Sequence, residues 1–200
     1  MFDIPWPIRF VILICLMTMV AIIDYLLNRK SLWKAKEYAS VLLAGLIGAL
    51  FGALNDQITC SISPDYFNVG KGLELDSNFR INVGILGAEA GFFVGFLIYG
   101  IYLIIIKSNR DTNLYVYRSL LFKLKYPLYY SIILIPILIV IVLCIKNVIP
   151  EYSFFYLVPA LRVRLFLIVW GWHIGLYFGA FFGAVHGSLL VKKRIKNIKK

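Results

Sequence analysis

Five stretches of about 20 mostly apolar residues divide this chain, at 8–27, 38–55, 82–106, 128–149 and 165–190. That is the length an α-helix needs to cross the hydrocarbon of a bilayer. The pattern predicts an all-α integral membrane protein with about five transmembrane helices in one domain, 1–200. Composition agrees: 61% of residues are hydrophobic and the mean hydropathy is +0.84, well above a soluble norm of about 45–50% apolar. The first stretch carries its positive cluster after the apolar core and lacks an A-x-A site, so it reads as an uncleaved span.

The net charge of +11 is set by basic residues lying between the spans. They act there as topology signals and as contacts to anionic lipid, so nucleic acid is not an expected partner. Fifteen of the 21 Lys and Arg residues fall on one side, in the gaps after the first and third spans and in the tail. The positive-inside rule therefore places the amino-terminus outside and the tail, 191–200, in the cytoplasm. Within it Lys192, Lys193, Arg194 and Lys196 are expected to meet anionic lipid of the cytoplasmic leaflet or a soluble cytoplasmic partner. The second span is short, which leaves a re-entrant segment open. In the third gap, Leu114, Tyr117, Leu121 and Leu124 follow helical spacing with Arg118, Lys123 and Lys125 interleaved, as in an amphipathic helix on the cytoplasmic face, with an ordinary basic loop as the alternative.

Thirteen of the 15 glycines lie in three spans. The second holds Gly45, Gly48 and Gly52; the third holds Gly84, Gly87, Gly91, Gly95 and Gly100. The fifth holds Gly171, Gly175, Gly179, Gly183 and Gly187, at a strict spacing of four. Each glycine costs a soluble helix about 1 kcal/mol relative to alanine. In lipid, small residues every four positions let two backbones approach. Spans two, three and five are therefore expected to form a close-packed core, with spans one and four facing lipid. The fifth-span stripe suits an intrachain neighbour or another subunit, and a homo-oligomer is expected. Pro136 is expected to kink the fourth span.

Ionisable groups inside spans are costly and mark functional candidates. Glu89 and His173 lie about 10–12 Å below the outer ends of their spans, deep enough to meet in one site. Asn55, Asp56 and Gln57 would close this region from above. The site suits a proton, a cation, a ligand or acid–base chemistry; the plain alternative is a polar clamp between helices. Trp170 and Trp172 read as interfacial anchors, and His186 as a packing or helix-end hydrogen bond. Cys60 lies alone outside a span, free to pair between subunits. No Cys/His spacing suggests a metal, and no cofactor is expected.

The outer loop, 56–81, opens with Ile58, Cys60 and Ile62 alternating with Thr59, Ser61 and Ser63, which predicts a short strand ended by Pro64. The segment Asp56, Gln57, Ile58, Thr59, Ser61, Ser63, Pro64, Tyr66 and Phe67 resembles a family of uncharacterised bacterial membrane proteins. In that family a span ends in His-Asp-Gln and Ser-Pro-Glu-Tyr-Phe follows. Asn55 stands in place of the His and Asp65 in place of the Glu. A looser likeness covers Trp170, His173, Tyr177, Gly179 and Gly183. The resemblance implies the bacterial cytoplasmic membrane and carries no activity.

No HExxH, GxSxG, P-loop or paired-carboxylate signature is present. An intramembrane enzyme would have to use Asp56, Glu89 and His173 without an evident nucleophile. A small channel or transporter would use Glu89 and His173, although no inverted repeat is visible. The reading favoured by the residues is a non-enzymatic module, an oligomeric scaffold or sensor acting with a partner.

Overall fold

The computed structural model describes residues 6–27, 32–107, 114–145 and 157–198. These residues form seven α-helices: α1 (Trp6–Leu27), α2 (Leu32–Ile62), α3 (Pro64–Lys71), α4 (Phe79–Lys107), α5 (Leu114–Leu121), α6 (Lys125–Ile145) and α7 (Val163–Ile198). A 3₁₀ turn, Phe122–Leu124, joins α5 to α6. Four segments are long and apolar enough to cross a membrane: Lys36–Ile62, Phe79–Ile106, Tyr117–Ile145 and Val163–Lys193. The chain thus has the build of a membrane protein. Four segments meet this measure among the described residues; within α1 it counts Ile14–Leu27, so a fifth crossing is not shown.

The second span is not short. Helix α2 runs on through Asn55 to Ile62 and reaches 31 residues, a full crossing at 1.5 Å per residue. The expected strand at 58–62 is therefore its last turns, and the described residues contain no strand. Alternation misled because the Thr and Ser hydroxyls here satisfy themselves within the helix. Thr59 Oγ1 donates to the Asn55 carbonyl at 3.1 Å, and Ser61 Oγ to that of Gln57 at 2.9 Å. Pro64 then starts α3 at the first helical position, where its missing N–H costs nothing. Gly72 ends α3 with φ 70°, a left-handed cap that favours glycine.

Two helix pairs carry the packing, and neither is the expected three-helix core. In the first, α2 and α4 run antiparallel with small residues on both sides: Ala44 faces Gly95, Gly48 faces Gly91 and Gly52 faces Gly87. A Cβ on any of these glycines would strike the facing backbone. In the second, the glycine stripe of α7 lies on α6, the span without glycine. Gly171 faces Ile139, Gly175 faces Ile135, Gly179 faces Ser131 and Gly183 faces Pro127, four residues down for every four up. One bare backbone is enough for close approach, so the partner helix needs no small residues. The stripe drifts around α7, and by Gly187 it has left α6 and meets the Tyr102 hydroxyl of α4. Of the two occupants open for the fifth-span stripe, an intrachain neighbour and another subunit, the intrachain neighbour fills it. Helix α6 continues through Pro136.

The two pairs meet at both ends and part between them. At one end Tyr66, Phe67, Val83, Phe166 and Leu167 form a core, with Cys60 inside it. Cys60 is buried, which removes the surface position expected for a disulfide between subunits. At the other end Val41, Tyr99, Tyr102, Leu120 and Val191 form a second core. The expected amphipathic segment is α5 and the turn after it: Tyr117 and Leu120 are buried and Arg118 is exposed. Arg29, Lys30, Lys146, Lys199 and Lys200, the side chains of Arg9, Arg194 and Lys196, and the end of the fourth span at 146–149 lie outside what is described.

Candidate functional site

The polar residues of α2 and α7 converge where the two pairs meet. His173 and Asp56 are both buried. His173 Nε2 lies 3.1 Å from Asp56 Oδ1, joining α7 to α2. His173 Nδ1 donates to the Val169 carbonyl one turn back at 2.9 Å. That bond fixes the Nδ1 proton and leaves Nε2 directed at the carboxyl oxygen of Asp56.

Neighbouring side chains hold this arrangement. Asn55 Nδ2 donates to the same Asp56 Oδ1 at 3.0 Å. The Trp172 indole N–H donates to Asn55 Oδ1 at 2.9 Å, a second bond from α7 to α2. Trp172 is therefore part of the site and not only an interfacial anchor. From above, the Tyr66 ring of α3 stacks on the His173 ring at 4.6 Å between centroids, and Phe67 meets it edge-on at 5.9 Å. Burial pushes the Tyr66 phenol well up, with Tyr177 and Asp56 adding to the shift, so the stacked ring is neutral. Arg162, just before α7, anchors α3 through the buried Asp65 carboxylate at 3.3 Å.

Two expected members of the site stand elsewhere. Gln57 turns to α4: its Nε2 donates to the Arg80 carbonyl at 2.6 Å, and Arg80 donates to Ser61 Oγ at 3.1 Å. Glu89 is buried, with Oε1 lacking a hydrogen-bond partner, and does not meet His173. Equal depth did not bring them together, because Glu89 points away from the glycine face of α4 while His173 turns toward α2. His186 bonds to Tyr130 of α6, with Nδ1 3.2 Å from the hydroxyl, the packing role expected of it.

Beneath the Asp56–His173 pair lies a cavity of about 100 Å³ between the two helix pairs. Gly48, Phe51, Gly91, Val94, Leu128 and Leu176 line it, and Asp56 and His173 reach it from the end that α3 covers. Among the described residues no group of His, Cys, Asp and Glu is arranged to hold a metal. Tyr66, Phe67 and Trp172 were not assigned to the site from sequence. The signal available was their position beside the motif and beside His173. No known protein-family model, curated protein or solved structure matches the chain.

Proposed function

We propose that this protein is a non-enzymatic membrane sensor or scaffold in which the Asp56–His173 pair latches one helix pair to the other. The observation that carries the reading is the buried 3.1 Å contact between them. It stands at the outer junction of two pairs that are separated by a cavity below it. Rupture of the Nε2–Oδ1 contact would open the junction. Displacement of α3 would uncover it by lifting Tyr66 from the imidazole. Either event would change the spacing of α2/α4 against α6/α7, which a partner at the basic end could read.

The other readings have less support. Both His173 nitrogens are engaged, and neither meets a hydroxyl or thiol, which leaves acid–base catalysis without a nucleophile. A conduit built on Glu89 and His173 would need them in one site. Helix α1 supplies the fifth crossing in this proposal, with the amino-terminus outside and the tail in the cytoplasm. An oligomer would have to form through lipid-facing surfaces, since the glycine faces are occupied within the chain.

Spin labels at the exposed positions Leu54 and Phe178 report the separation of the two pairs. The wild type should give one narrow distance distribution. Asp56→Ala and Tyr66→Ala should each broaden or lengthen it. Unchanged distributions in both variants would remove the latch.

A further inference from the structure

The α5–α6 junction carries a second site, on the face opposite the latch. Arg118, Lys123 and Lys125 lie within two turns around the Phe122–Leu124 bend. The Lys123 and Lys125 ammonium groups both stand 5.4 Å from the centre of the Tyr126 ring. The Arg118 guanidinium stands 5.9 Å from the centre of the Phe122 ring. A recess of about 290 Å³ opens between Arg118, Phe122, Lys123 and Lys125. Among the described residues none of the three cations has a carboxylate within ion-pair distance. Glu37, at the same end, is hydrogen-bonded to the Tyr117 hydroxyl at 3.5 Å. Three like charges held close without a counter-charge repel one another, and an anion relieves that repulsion.

The surroundings distinguish one anion from another. The recess lies in the first turns of the segment Tyr117–Ile145, which is long and apolar enough to cross a membrane. Lys125 also borders a second recess of about 440 Å³ with Tyr126, Leu128, Tyr129 and Ile132. Lys125, Tyr129 and Ile132 follow helical spacing along one exposed face of α6. Cations thus pass into aromatic and then aliphatic surface within two turns. A soluble anion would use the first recess alone. A phospholipid would use both, with its phosphate among the cations and an acyl chain along Tyr129 and Ile132.

We propose that the α5–α6 junction is a binding site for an anionic phospholipid of the leaflet that this basic end faces. Each cation near an anionic surface contributes about fivefold in affinity, so the three together give about 100-fold.

Native mass spectrometry of the whole chain in a neutral maltoside detergent tests it, with phosphatidylglycerol and phosphatidylcholine as competing probes. The wild type should retain phosphatidylglycerol at least tenfold more tightly. Arg118→Gln/Lys123→Gln/Lys125→Gln should abolish that preference, and Lys125→Gln alone should weaken it several-fold. Lys71→Gln/Arg164→Gln, at exposed cations of the opposite end, should leave it intact. Equal retention of both lipids by the wild type would overturn the site. So would a preference that survives the triple substitution, or one lost as fully in the Lys71/Arg164 variant, since that marks general attraction to positive charge. Competition by glycerol phosphate as strong as by the intact lipid would assign the recess to a soluble anion, and competition by an acidic peptide would assign it to a protein.

Discussion

Asp56 and His173 show how an ionisable pair is housed between helices long and apolar enough to cross a membrane. Every polar contact around them has a donor and an acceptor: Asn55 and His173 on the carboxyl oxygen, Val169 on the far imidazole nitrogen, Trp172 on Asn55. Polar bonds between membrane helices are worth about 0.6–2 kcal/mol, and a charge-assisted one belongs at the upper end. Asp56→Ala and His173→Gln, alone and combined, should give a coupling of about 2 kcal/mol in a double-mutant cycle read by unfolding in detergent. Asp56→Asn should cost less than Asp56→Ala, since an amide can still donate to a neutral imidazole. Tyr66 adds a pH dependence. Its phenol has a higher pKa folded than unfolded, so its contribution is present below pH about 10 and is lost as pH rises further. Tyr66→Phe should therefore lose less stability than the wild type between neutral pH and strong alkali. From sequence, Asp56 and His173 stood out as ionisable groups at membrane depth, but their pairing did not, because depth says nothing about which way a side chain turns. Glu89 has the same depth and is held elsewhere.

At the scale of the helix, glycine spacing was legible and its partner was not. Four-residue repeats on α2, α4 and α7 do mark the close contacts. The inference that glycine-rich helices pack on one another holds for α2 and α4 and fails for α7, which lies on the isoleucine-rich α6. A gap between backbones closes when one side lacks side chains, so spacing on one helix cannot name the other. Gly91 and Gly100 make a paired test. A Cβ at Gly91 would strike the Gly48 carbonyl, whereas one at Gly100 has nothing within 4 Å. Gly91→Ala should cost about 1–3 kcal/mol and Gly100→Ala should gain about 0.5–1 kcal/mol, both measured as shifts in unfolding midpoint. Helix α2 gives the other lesson of this scale. Alternating Thr and Ser beyond Asn55 looked like a strand because side-chain bonding to the i−4 carbonyl, which keeps such residues helical, leaves no mark in a period-two pattern.

For the molecule as a whole, the two antiparallel pairs are joined at their ends and parted by the cavity between. Ala90 borders that cavity. Ala90→Leu should fill it and raise stability by about 1 kcal/mol through added packing, and should narrow the Leu54–Phe178 distance distribution in the Asp56→Ala background. The linear chain determined the membrane class, the approximate positions of the spans and the basic character of one end. Each of these follows from runs of apolar or charged residues within a few turns, and local runs are what a sequence displays. The tertiary structure decided that α7 pairs with α6, that Asp56 and not Glu89 receives His173, that Tyr66 covers the imidazole, and that Arg118, Lys123 and Lys125 gather around one bend. Those outcomes depend on the rotation of each helix about its axis. That rotation is set by which backbones can approach one another across separations of up to 117 residues, as between Asp56 and His173.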